Sequence, residues 1–164
     1  MTFKICRIII TMTILSILSA TGQHDPGAQA VDPNGIPDEI RSCVRSNAGL
    51  QLDGSINPYY ISGDYDGDGV TDFAVLVKEQ KDRGPGIHHI LFCFGQGKTV
   101  LWDASTDPDS MTSPFTAWFL VRKQSNFLSI HPQIKHDTLA ILIGEEGGGL
   151  VYWDGRKLSW QVEE

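Results

Sequence analysis

The chain has 164 residues, with 20 acidic and 13 basic side chains, a formal charge of −7, and 17 glycines. That length fits one domain. The acidic balance argues against a nucleic-acid partner, which needs a basic surface. With 41% apolar and only 20% charged residues, wholesale disorder is excluded as well.

The first thirty residues read as an export signal. Lys4 and Arg7 precede an apolar run over residues 8–18, and small residues follow it. The run is too short to span a bilayer as a helix, which takes ~20 residues. A charged start, an apolar middle and an Ala28-Gln29-Ala30 site describe a secretory signal peptide, with cleavage expected after Ala30. Ala20-Thr21-Gly22 offers a second point nearer the run. The expected domain is residues 31–164, periplasmic or secreted, with no membrane insertion once the signal is removed. Cleavage removes Cys6 and leaves Cys43 and Cys93. In an oxidising compartment that pair suggests one disulfide, although two buried thiols would also fit.

The elements after residue 31 are one helix and then strands. Pro37, Asp38 and Glu39 are residues that begin helices. Ile36, Ile40, Cys43 and Val44 fall on one helical face, and Asn47 and Gly49 end it. Short β-prone or apolar runs follow at residues 59–61, 73–77, 87–94, 99–102, 117–121 and 138–143. Gly95-Gln96-Gly97 should turn one hairpin. Asp154-Gly155, between runs at 150–153 and 157–162, should turn another. Residues 103–114 read as a long polar surface loop. The expected fold class is mainly β (α+β), with the short N-terminal helix packed on an antiparallel sheet or sandwich.

The informative motif spans residues 63–72. Asp64, Asp66, Asp68 and Asp72 stand at positions 1, 3, 5 and 9 of a loop, Gly69 at position 6, and Val70 at position 7. Four hard oxygens, the Val70 carbonyl and water suit a flexible Ca²⁺ site. Mg²⁺ fits less well, since it keeps its water and wants a smaller octahedron. Four aspartates in nine residues would repel one another without a cation. An EF-hand would place Glu at position 12, where Val75 stands inside a strand-like run. The unit is therefore strand, calcium loop, strand.

With its D-x-D-G-D-G-x-x-D core, the segment 60–77 resembles the FG-GAP or VCBS type of repeat. Residues 150–160 resemble the close of small exported bacterial proteins that carry one such loop. The resemblance implies a loop that holds strands in register and is not a reaction centre. A propeller would take several such repeats, and one is present here.

Other motifs carry less. Gly95-Gln96-Gly97-Lys98-Thr99 lacks the first glycine of a phosphate loop, because Phe92 stands there. His88, His89, His131 and His136 show no ligand spacing. Glu145-Glu146 precede three glycines, a poor frame for catalysis. Most of the aromatic residues late in the chain are expected in the core, and any exposed together on one face would mark a glycan or protein partner. These signs point to a non-catalytic, calcium-stabilised domain that binds a protein or glycan of the cell envelope. A small secreted hydrolase with structural calcium is the alternative.

Overall fold

A computed structural model describes residues 35–80, 89–102, 116–143 and 147–163. The expected signal segment, His88, the expected loop at 103–114 and Glu145-Glu146 lie outside the described residues. The element order is α1 (Asp38–Ser46), β1 (Leu50–Leu52), β2 (Tyr60–Gly63), β3 (Asp72–Glu79), β4 (His89–Cys93), β5 (Thr99–Trp102), β6 (Ala117–Val121), a 3-10 helix (Asn126–Ile130), β7 (Thr138–Leu142), β8 (Gly148–Trp153) and β9 (Leu158–Glu163). The fold is mainly β, with one α-helix and two antiparallel sheets. The first sheet runs β1-β3-β4-β5, with β2 also paired to β3, and the second runs β6-β7-β8-β9.

Helix α1 begins after Pro37, with Asp38 and Glu39 in its first turn and Arg45 in its last. Those charges complement the helix dipole. Its apolar stripe of Ile36, Ile40 and Val44 packs on Val75, Val77, Leu91 and Cys93 of the first sheet. The Cys43–Cys93 disulfide joins helix to strand, with the Cα atoms 6.1 Å apart.

The continuous apolar run in β3 has a direct explanation. Side chains alternate along a strand, and both faces of this strand are covered. Val75 and Val77 face the helix. Ala74 and Leu76 join Tyr65, Ile90, Phe92 and Trp102 in a cluster that also takes Trp118, Leu139, Ile141, Val151 and Trp153 from the second sheet. That shared cluster is the main core. Trp118 Nε1 donates to the Pro58 carbonyl at 2.6 Å, and Lys98 Nζ lies 3.8 Å from the Trp153 ring centre. Both contacts tie one sheet to the other. The expectation of buried late aromatics holds for Trp102, Trp118 and Trp153, whereas Phe119 and Phe127 are exposed.

Beyond the second sheet, the segment after β6 folds back over part of its outer face. Leu128 and Ile134 pack there on Val121, Ala140 and Leu150. No helix among the described residues is long and apolar enough to cross a membrane.

Candidate metal centre

The acidic loop joins two paired strands. The β2–β3 register ends at Gly63 opposite Asp72, so Asp64 leaves β2 just where Asp72 enters β3. Positions 1 and 9 of the motif therefore close the loop across one strand pair. The turns between them fall at Gly67 and Gly69, with φ of +81° and +83°. Residues other than glycine pay for that left-handed backbone. The need for glycine at position 6 is met at Gly69, and Gly67 adds a second constraint. A Cβ at Gly67 would stand 2.0 Å from His136 Nδ1.

Asp64, Asp66 and Asp72 bring carboxylate oxygens within 4.8 Å of one another. No other trio of His, Cys, Asp or Glu converges in this way among the described residues. Asp72 is buried, and Asp64 and Asp66 are partly so. Asp72 Oδ2 accepts the Tyr65 amide at 2.8 Å, and Oδ1 accepts the Gly95 amide at 2.8 Å. Burial nonetheless raises its pKa above the ordinary aspartate value, and the nearby Asp66 charge adds to the rise. The hydrogen bonds of Asp72 pull the other way. Tyr65 lies fully buried beside it. Burial, then the charges of Asp137 and Asp72, push its phenol far up, so it stays neutral. Its hydroxyl donates to the Ile61 carbonyl at 3.2 Å.

Asp68 stands outside the trio. Its Oδ1 accepts the Val70 amide at 2.7 Å, and its Oδ2 accepts Gln96 Nε2 at 2.8 Å. The Val70 bond and then the Gln96 bond hold its carboxyl below the usual range. The Val70 side chain is exposed and lies against Gly95, where a Cβ would come within 2.3 Å of its Cγ1. The β4–β5 turn thus props the loop twice, through Gly95 on Asp72 and Gln96 on Asp68.

The other side of the loop rests on residues that its spacing does not reveal. Asp137, buried next to β7, accepts the Asp64 amide on Oδ2 at 3.1 Å. The same oxygen takes Arg122 Nη1 at 2.8 Å, and Oδ1 takes the Lys123 amide at 3.0 Å. Burial would raise the Asp137 pKa, but these bonds outweigh it and hold the carboxyl below the usual value. Lys123 Nζ lies 3.6 Å from Asp64 Oδ2. Asp137 is 73 residues from Asp64, so the only sequence signal was an acid beside His136.

The described histidines do not gather. His131 Nε2 lies 3.2 Å from Glu163 Oε1, while His136 lies against Gly67. Comparison with protein families, curated proteins and solved structures finds no match for this chain.

Proposed function

We propose that the chain is an exported, non-catalytic domain of the FG-GAP/VCBS calcium-loop kind, stabilised by one Ca²⁺. The observation that carries the reading is the convergence of Asp64, Asp66 and Asp72 oxygens within 4.8 Å on the turn between two paired strands. The donor set fits the ion. Hard carboxylate oxygens are what Ca²⁺ takes, and the Asp68 carboxylate and the Val70 carbonyl are the further donors that the spacing offers. The raised pKa of Asp72 supports the reading from the energetic side. Burial disfavours its charge, and a bound cation would offset that cost.

Calcium would add stability by binding only the folded state, and would do no chemistry. Export is supported by the signal-like residues 1–30 and by the Cys43–Cys93 disulfide, a bond found mainly in oxidising compartments. The role proposed for such an exported domain is to bind a protein or glycan of the cell envelope. Calorimetric titration with Ca²⁺, paired with melts in Ca²⁺ and in chelator, tests the metal. A binding isotherm and a higher melting temperature in Ca²⁺ are expected, and identical melts would sink the reading. Capture from envelope extracts with and without Ca²⁺ tests the partner.

A further inference from the structure

We infer that Asp137 is the positioning residue of this centre, so that the second sheet's flank supplies half of what holds the loop. The inference rests on the calcium reading and adds a residue that the motif does not contain. Asp64 is position 1. Its backbone is gripped at both polar atoms by one residue: the Asp64 amide donates to Asp137 Oδ2 at 3.1 Å, and the Asp137 amide donates to the Asp64 carbonyl at 3.2 Å. With the backbone so held, the Asp64 carboxylate comes within 4.8 Å of those of Asp66 and Asp72, its Oδ1 accepting the Gly69 amide at 3.3 Å and its Oδ2 lying 3.6 Å from Lys123 Nζ.

Asp137 is itself locked. Its side chain is only 5% exposed, and its oxygens also take Arg122 Nη1 and the Lys123 amide. The Arg122 guanidinium balances its charge at 2.8 Å. It stands outside the trio of converging carboxylates, so it is placed to orient and not to ligate. Two glycines let the loop come this close. A Cβ at Gly63 would meet Leu120 Cδ1 at 3.0 Å and Asp137 Cβ at 3.4 Å, and one at Gly67 would collide with His136. The loop therefore lies against residues 136–137 at two points, with no side chain of its own between.

Cation sites need their ligands held to within about 0.5 Å. Removing an outer partner that orients a ligand typically costs about 10- to 100-fold in metal affinity. The mirror possibility is that Asp137 only staples the loop to the second sheet. The two roles separate when affinity and metal-free stability are measured on the same variants.

The experiment titrates wild type, Asp137→Ala and Asp137→Asn with Ca²⁺ by calorimetry, and melts each in chelator. Asp137→Ala should bind Ca²⁺ at least about tenfold more weakly. Asp137→Asn keeps a carbonyl for the Asp64 amide but turns an NH₂ toward the Lys123 amide. It should fall between the two, about three- to tenfold weaker than wild type. If the alanine variant does not fold, the asparagine variant decides alone. Unchanged affinity in the folded variants, with lower melting temperatures in chelator, would overturn the positioning role and leave a staple. A wild-type chain that binds no Ca²⁺ would overturn the calcium reading, and this inference with it.

Discussion

Two Asp-Gly turns in this chain look alike in sequence and differ in what surrounds them. At Asp154-Gly155, Asp154 Oδ1 accepts the amides of Arg156 and Lys157 at 2.8 and 2.9 Å, and Oδ2 accepts the Ser159 hydroxyl. At Asp68-Gly69, Asp68 Oδ1 accepts the Val70 amide, and Oδ2 accepts Gln96. Both carboxyls are held below the usual value, chiefly by backbone amides. Asp154 has basic neighbours on its own turn. Asp68 sits in a loop whose other three acids crowd one another. An aspartate in a turn is thus a local hydrogen-bond acceptor first. A cation site begins only where strand register and distant supports drive several carboxylates together.

The largest effect that sharpens this contrast should come from the Cys43–Cys93 bond. It anchors β4, whose following turn carries Gly95 and Gln96 onto the loop, and it lies far in sequence from the Asp154 hairpin. Closing a loop across 50 residues is worth about 4 kcal/mol in the chain-entropy account. Reduction, or paired Cys→Ala changes, should lower stability by about that amount in urea melts. Loss of Ca²⁺ affinity should accompany it. An unchanged urea midpoint would show that the bond does not stabilise this half.

Next in size is Asp72→Ala. It leaves the Tyr65 and Gly95 amides without an acceptor. The Tyr65 bond is buried and its loss costs about 1–3 kcal/mol, while the part-buried Gly95 amide adds less, so a drop of about 3 kcal/mol is expected even in chelator. Asp66→Ala should act differently. Its expected loss appears only with Ca²⁺ present, about 2.7 kcal/mol at a hundredfold excess over Kd. Asp154→Ala, at the comparison turn, should shift melts equally in Ca²⁺ and in chelator. If Asp154→Ala altered the Ca²⁺ effect, the division between the two turns would fail.

Much of this contrast was legible in the sequence, but unevenly. Continuous runs such as Phe73–Val77 were visible because both faces of β3 are buried. The strand itself extends from Asp72 to Glu79, since backbone pairing ignores side-chain polarity. Strand β1 was not foreseen. Its three residues pair with the far end of β3, where Leu50 meets Glu79 and Leu52 meets Val77. The 3-10 helix at Asn126–Ile130 was likewise missed, because its packing comes from the second sheet and not from a local period. Spacing alone singled out Asp64, Asp66 and Asp72, whose carboxylates converge because the register ends at Gly63 opposite Asp72 and so closes the loop there. It could not show that Gln96 bonds Asp68, or that Asp137 grips Asp64, because those partners are 28 and 73 residues away.

The smallest expected effect is one of pH, and it separates the two turns by sign. Asp154 has a folded pKa below its unfolded value. Its contribution is present above the unfolded value and is lost as pH falls through the folded one. Asp72 has a folded pKa above its unfolded value. In chelator it therefore favours folding at low pH, and that advantage is lost as pH rises through its folded value. Calcium should remove this loss, because the cation stabilises the charged carboxylate. The gap between melting temperatures in Ca²⁺ and in chelator should widen as pH rises through the carboxylate range. That widening should extend above the range of an ordinary aspartate. Asp72→Asn should flatten the profile, and Asp154→Ala should leave its shape unchanged. A gap constant with pH in the wild type would mean that the buried carboxylate is not what the cation relieves.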